Sequence, residues 1–148
     1  MIQRIQTLYF LLTAVLSVVT ACLPLGRWLN DGGEVVMRMG AFTLTEGDST
    51  RLSPFGPLLI IVAVLMLLTI IIYRHRMHQT RLAVLCMLLL AGWYLVYGIY
   101  ALICGADGTS FLPEWGAALP IVGIYLSWQG WRAVMKDELL VRSLDRLR

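Results

Sequence analysis

Charged residues are scarce in this 148-residue sequence, and four long segments contain none at all. Charged residues make up 14% of the chain and hydrophobic residues 59%, whereas a soluble domain has about 25% charged and about 45–50% apolar residues. This composition excludes a disordered chain and an ordinary cytosolic domain. We therefore expect lipid to be the main solvent of this protein.

The four uncharged segments predict four membrane-spanning helices, because each approaches the roughly 20 residues that cross a hydrocarbon core of about 30 Å. The predicted fold is an all-α membrane protein, an antiparallel four-helix transmembrane bundle that forms one domain over residues 1–148. The predicted spans are residues 5–26, 54–73, 82–104 and 114–134, with an outer loop at 27–51 and an amphipathic tail at 135–148.

Proline positions support the helix boundaries. Pro24 should end the first helix, and Ser53 before Pro54 is typical of an N-cap and a first-turn proline for the second. Glu114 should begin the fourth helix, with its carboxylate at the positive end of the helix dipole. Pro120, inside the fourth predicted span, should kink that helix.

The first outer loop has room for a small β-hairpin. Residues 34–39 and 42–46 are two short runs with β-branched and apolar content on either side of Gly40. An isolated hairpin is marginally stable in water, so this one should pack on the membrane surface or on neighbouring segments.

Basic residues are concentrated on one side of the predicted membrane. The side of the N-terminus carries nine basic and three acidic residues, a net charge of +6, whereas the other side carries three basic and six acidic residues, a net charge of −3. The positive-inside rule then predicts a multi-pass membrane protein with both termini cytoplasmic. Because topology explains the basic excess, no nucleic-acid partner is predicted.

The first span resembles a secretory signal, and residues 19–22 (VTAC) resemble a lipoprotein cleavage site. Two features favour an uncleaved span: the apolar run is long enough to cross a bilayer, and residues 23–25 (LPL) are apolar where a lipoprotein has a polar linker. The intact mass of the purified protein distinguishes the two interpretations.

The four uncharged segments, residues 5–26, 52–73, 82–106 and 115–131, contain no Asp, Glu, Lys, Arg or His, and transport or proton relay normally requires such groups near the bilayer midplane. His75 and His78 lie among arginines, which oppose metal binding. No catalytic residue, metal or cofactor is predicted, and the protein is more readily interpreted as a non-enzyme.

The three cysteines are isolated and form no Cys-X-X-Cys pair, which disfavours thiol redox chemistry. Cys22 and Cys104 both fall near outer helix ends, so a disulfide between them is kept as a minor alternative to free thiols. Cys86 falls near the inner end of the third helix.

Two stripes with alternating spacings of four and three residues lie on the last two helices. The third helix carries a stripe rich in aromatic residues: Cys86, Leu90, Trp93, Tyr97, Tyr100 and Cys104. The fourth carries a stripe of small residues: Gly116, Pro120, Gly123, Ser127 and Gly130. We expect the aromatic side chains to pack into the groove left by the small residues. The alternative is a lipid- or quinone-binding enzyme, or a thiol-redox protein, that uses the aromatic stripe and the outer cysteines.

The cytoplasmic ends are the predicted contact surface for a partner. Leu140, Leu144 and Leu147 recur at helical spacing among charged residues, which is typical of a short amphipathic helix. The predicted partners are the bilayer, with its anionic lipids, and either another protein or a second copy of the chain. The candidate contact residues are Arg4, Arg74, Arg76, Arg81, Lys136, Arg142, Asp145, Arg146 and Arg148.

The two ends also carry a family resemblance. Residues 1–9 (MIQRIQTLY) and 136–148 (KDELLVRSLDRLR) resemble the terminal signatures of the domain-of-unknown-function family 4293 of Bacteroidetes. The resemblance implies a four-span protein of the bacterial inner membrane and carries no activity. The predicted function, a non-enzymatic accessory or scaffold subunit, depends instead on the uncharged segments and on the patterned polar residues at the cytoplasmic ends.

Overall fold

The structure, a computed structural model, describes residues 2–72, 76–105 and 108–145. Its helices are α1 (Ile2–Cys22), α2 (Phe55–Ile71), α3 (Arg76–Ile103) and α4 (Leu119–Asp145), and a 3₁₀ helix covers Trp115–Ala118. Its strands are β1 (Pro24–Asn30), β2 (Val35–Gly40), β3 (Thr43–Glu46), β4 (Ser49–Leu52) and β5 (Thr109–Pro113).

The five strands form one antiparallel sheet in the order β4-β3-β2-β1-β5. β2 and β3 form the hairpin predicted for the first outer loop, with Arg38 opposite Thr45. β5, from the segment between α3 and α4, pairs with β1 and places Leu112 opposite Arg27. The hairpin is therefore stabilised within a larger sheet, as two strands alone would not be.

The prediction of an all-α, antiparallel four-helix transmembrane bundle is wrong. A five-stranded sheet accompanies the helices, and within the described residues two helices are long and apolar enough to cross a membrane. These are Ile5–Cys22 within α1 and Met77–Ile103 within α3. Uncharged strand and 3₁₀ residues had lengthened the first and fourth predicted spans, because charge scarcity does not distinguish a buried strand from a helix.

The other two helices fall short for separate reasons. α2 has 17 residues, which corresponds to a length of about 26 Å. α4 begins at Leu119 and reaches Arg132 in its fourth turn, so its uncharged part is shorter than residues 114–134 suggested.

Two predicted helix starts also differ from the structure. Pro120 lies in the first turn of α4 and not inside a span, so its missing N–H is one that the helix leaves unpaired in any case. Pro54 occupies the N-cap position of α2, while the Ser53 hydroxyl is buried without a hydrogen-bond partner. The serine therefore does not cap the helix.

The small-residue stripe of α4 is buried as predicted. A methyl group added to Gly130 would come within 2.7 Å of Phe10 Cε1, and one added to Gly123 would contact Leu90 and Thr13. Gly116 lies against the backbone of Pro24. Since Phe10 belongs to α1, the groove on α4 receives side chains from α1 as well as from α3.

The aromatic stripe of α3 packs mainly on α2 and on itself. The Trp93 ring is fully buried, stacks on Tyr97 with centroids 5.2 Å apart, and meets Phe55 of α2 edge-on at 5.6 Å. Tyr100 also meets Phe55 edge-on, at 5.2 Å. The α3 side chain that reaches Gly123 in the α4 groove is Leu90 and not one of these aromatic residues. The rings instead join α3 to α2.

Candidate functional site: a groove between the sheet and the helices

A groove of about 730 Å³ lies where β1, β5, the 3₁₀ helix and α4 meet α3. Its volume falls within the range of about 300–1,000 Å³ that small-molecule sites occupy. Most of its wall is apolar, and the polar groups in it come from two tyrosines, one arginine and one glutamate: Tyr94, Tyr97, Arg27 and Glu114.

Both tyrosine hydroxyls are held by backbone groups. The Tyr94 hydroxyl donates to the Ala117 carbonyl and accepts a hydrogen bond of 3.0 Å from the Ile121 N–H. The Tyr97 hydroxyl donates at 2.8 Å to the Leu25 carbonyl. These bonds connect α3 to β1, to the 3₁₀ helix and to α4, so they give the groove a rigid frame.

Arg27 and Glu114 form the charged end of the groove. Arg27 Nε lies 3.6 Å from Glu114 Oε1, and the two side chains are 43% and 25% exposed. Nε itself is buried and the separation exceeds hydrogen-bonding distance, so the attraction is electrostatic. A partly exposed pair of this kind contributes about 0–1 kcal/mol to stability, which leaves both charges available to a ligand.

The Glu114 backbone, unlike its side chain, has a structural role. Its N–H donates to the Leu25 carbonyl at 3.1 Å, and its carbonyl accepts from the Ala117 N–H at 3.0 Å. Glu114 is the N-cap of the 3₁₀ helix but makes no capping hydrogen bond with its side chain. The carboxylate can thus be replaced without loss of these backbone bonds.

A second cavity of about 350 Å³ lies between the β4 side of the sheet and the end of α3. Arg51, Tyr100 and Cys104 are among its lining residues. The thiol of Cys104 is partly exposed there, whereas Cys22 is exposed and Cys86 buried; all three cysteines are free. The Cys22–Cys104 disulfide is not formed in this structure.

Of the nine predicted cytoplasmic contact residues, the two whose side chains the structure describes line neither cavity. Arg81 near the start of α3 and Lys136 on the last part of α4 are exposed, and the topology places them at the helix ends opposite the sheet. Four further residues lie in helices with side chains outside the described part: Arg4, Arg76, Arg142 and Asp145. Three lie outside the described residues altogether: Arg74, Arg146 and Arg148.

From the sequence, Arg27 is an outer charge and Glu114 an outer charge at the start of the fourth helix, and the two are not brought together. The sequence does mark both residues. Arg27 directly follows one uncharged segment, Glu114 directly precedes another, and each adjoins a tryptophan, Trp28 or Trp115. Their proximity depends on β1 pairing with β5, which no local pattern indicates.

The serine and threonine hydroxyls buried in the helices bond to their own helices, and Thr13 and Ser127 in addition join α1 to α4 through contacts of 3.4 Å. Thr13, Ser17 and Thr20 each donate to the carbonyl four residues earlier, at 3.0, 2.9 and 2.7 Å. Thr69 and Ser127 do the same at 2.7 and 2.8 Å. These local bonds satisfy buried hydroxyls at little cost and require no ligand.

The fold and the groove define a small α+β protein in which an antiparallel sheet adjoins one end of a helical layer. This layer contains two helices of membrane-spanning length and hydropathy. The chain belongs to the DUF4293 family, a domain of unknown function, whose match covers residues 2–147. The family inferred from the two chain ends is thereby confirmed. No curated protein matches the chain significantly.

Proposed function

We propose that this protein is an integral, multi-pass protein of the bacterial inner membrane and a non-enzymatic accessory subunit. In this proposal α1 and α3, the two helices of membrane-spanning length, run outward through the bilayer, and α2 and α4 lead the chain back beside them. The sheet lies on the outer side and both termini are cytoplasmic. The cytoplasmic helix ends then bind a protein partner.

The distribution of side chains around α1 carries the membrane assignment. The buried side chains of α1 include Gln6, Ser17 and Thr20, whereas Leu8 and Val15 are each about half exposed. A helix on the surface of a soluble protein shows the reverse, with its apolar side chains facing the core. Such a helix is stable when its outer surface meets lipid.

The α3 surface gives the same indication. Leu88, Leu95 and Leu102 are between 65% and 85% exposed, while Cys86, on the same helix, is buried. Soluble monomers rarely expose contiguous apolar patches larger than a few hundred Å². Burial of this surface in a bilayer removes it from water.

The orientation follows from which helix ends adjoin the sheet. α1 and α3 end next to it, while α2 and α4 begin next to it, so the opposite ends share one side. That side carries nine basic against three acidic residues in the sequence. The positive-inside rule makes it cytoplasmic.

The charge pattern of the tail favours a protein partner over a lipid surface. Asp137, Glu138 and Asp145 alternate with the basic residues of the tail, whereas a surface that binds anionic lipid is mainly basic. Alternating charges supply both signs of ion pair and therefore suit a partner of defined shape.

Cysteine labelling tests the membrane placement. A variant that retains only Cys22 should react with a membrane-impermeant maleimide in intact spheroplasts, because Cys22 is exposed at the sheet end of α1. Ser143→Cys in a cysteine-free background should react only after the membrane is opened, and both proteins should resist carbonate extraction. Release by carbonate, or labelling of the tail in intact spheroplasts, would contradict this placement.

Affinity purification of the full chain in mild detergent tests the accessory role. A stoichiometric protein partner should be lost in the variant with Lys136→Glu, Arg142→Glu and Arg146→Glu, because charge reversal makes former ion pairs repulsive. The matched control reverses outer basic residues, Arg38→Glu and Arg51→Glu, and should retain the partner. A solitary protein, capture of anionic lipid alone, or a partner that survives tail reversal would each overturn the proposal.

A further inference from the structure

We propose that the groove between the sheet and the helices binds a phospholipid whose headgroup carries both a phosphate and a primary ammonium, as in phosphatidylethanolamine. The phosphate contacts Arg27, the ammonium contacts Glu114, and one acyl chain follows the apolar wall. This inference rests on the proposed membrane location, since the lipid would enter from the outer leaflet.

The apolar wall suits an acyl chain. Leu112, Trp115 and Ile121 line the groove and are 42%, 90% and 59% exposed, so the folded chain leaves this wall uncovered. Beyond Ile121, the exposed apolar residues Tyr125 and Trp128 follow along α4, the direction in which an acyl chain would run from the interface into the bilayer. Trp115 at its upper end is typical of the level of the headgroups.

The charged end suits a headgroup with both signs of charge. Arginine has five N–H donors in a planar fork. The Arg27 side chain is 43% exposed, and its Nε lies 3.6 Å from Glu114 Oε1, beyond hydrogen-bonding distance. The guanidinium is therefore not held by a hydrogen bond from Nε to Glu114, and its N–H groups are of the kind that pair well with a phosphate.

Glu114 decides which headgroup fits. A purely anionic lipid would place its charge next to the carboxylate, which lies 3.6 Å from Arg27 Nε, and would be repelled by it. A choline headgroup carries a positive charge but has no N–H to donate. A primary ammonium has three donors for the carboxylate and therefore matches the site best.

The groove is preformed for such a ligand. The Tyr94 and Tyr97 hydroxyls are already bonded to the backbone, so they hold the walls and leave Arg27 and Glu114 as the charged groups that meet the lipid. A rigid site loses little conformational entropy on binding.

Competition among lipids with identical acyl chains tests this inference. The full-length protein is placed in vesicles with equal amounts of phosphatidylethanolamine, phosphatidylcholine and phosphatidylglycerol, re-extracted in mild detergent, and the bound lipid is measured by native mass spectrometry. Charge-assisted hydrogen bonds of roughly 1.5–3 kcal/mol predict an enrichment of phosphatidylethanolamine by at least about tenfold.

Four variants test how the Glu114 carboxylate, the Arg27 guanidinium and the apolar wall each contribute to lipid binding. Glu114→Gln should abolish the preference for phosphatidylethanolamine over phosphatidylcholine, and Arg27→Gln should reduce the retention of both. Ala118→Trp, at an exposed position in the wall, should expel bound lipid of every headgroup. Arg38→Gln, a matched control on the exposed side of β2, should change nothing.

Equal retention of the three lipids, a preference for phosphatidylglycerol, or wild-type selectivity in Glu114→Gln would each overturn the inference. Carbonate extraction distinguishes this failure from that of the proposed function. A carbonate-resistant protein without headgroup preference contradicts only the lipid site, whereas release by carbonate contradicts the membrane placement itself.

Discussion

Trp93→Ala should lower the free energy of unfolding by about 3–5 kcal/mol. Trp93 is fully buried, and its ring contacts Tyr94 at 5.0 Å, Tyr97 at 5.2 Å and Phe55 at 5.6 Å between centroids. Truncation leaves a cavity among three aromatic rings that link α3 to α2. Phe55 meets both Trp93 and Tyr100 edge-on, so these rings are a direct packing contact between α2 and α3.

Thermal unfolding of the purified protein in detergent measures this effect. At roughly 2–4 °C per kcal/mol for a chain of this size, Trp93→Ala should lower the Tm by about 6–20 °C. Trp115→Ala is the matched control, since Trp115 is 90% exposed and its removal should change stability by less than about 0.5 kcal/mol. Equal Tm values for the two variants would show that the aromatic cluster does not stabilise the fold.

Gly130→Leu should destabilise the protein by about 1–3 kcal/mol or more through overpacking. Even a Cβ atom at Gly130 would come within 2.7 Å of Phe10 Cε1, and a leucine adds three further carbon atoms at the same contact. The substitution therefore forces α4 away from α1.

A double-mutant cycle with Phe10→Ala checks the cause of this loss. Phe10→Ala opens space opposite Gly130, so the double variant should be more stable than the sum of the two single effects predicts. Gly98→Leu is the matched control, because no atom outside its own helix lies within 4 Å of a Cβ at Gly98. A strictly additive cycle, or an equal loss in Gly98→Leu, would contradict this packing of α1 on α4.

Much of the helical layer could be predicted from the sequence. The uncharged segments located all four helices, and Pro24 correctly marked the end of the first, which stops at Cys22. The stripe of small residues on α4 was identified because its period matches one helix face. These features depend on local composition and spacing, which are visible without knowledge of the fold.

The strands beside the helices were harder to predict. β1 contains Leu25 and Trp28 and adjoins an apolar helix, so its residues were assigned to that helix or to a loop. β5 has only five residues, in a segment for which no strand was predicted. β1 becomes a strand between β2 and β5, and β5 becomes one because β1 supplies its hydrogen-bond partners.

The candidate groove depends wholly on that pairing. Arg27 and Glu114 belong to segments separated by α2 and α3, and they meet because the β1–β5 register places Arg27 opposite Leu112. The Tyr97 hydroxyl then joins α3 to Leu25 across the same boundary. Neither contact is encoded in a local pattern.

Composition and spacing alone show that this chain has long apolar segments and that its charges are separated between their two ends. Each residue contributes to these properties independently of distant neighbours. The single sheet of the outer segments, and the groove framed by Arg27, Glu114 and two tyrosines, exist only in the folded chain. Strand register and side-chain proximity result from cooperative contacts between distant segments, which exist only once the chain has folded.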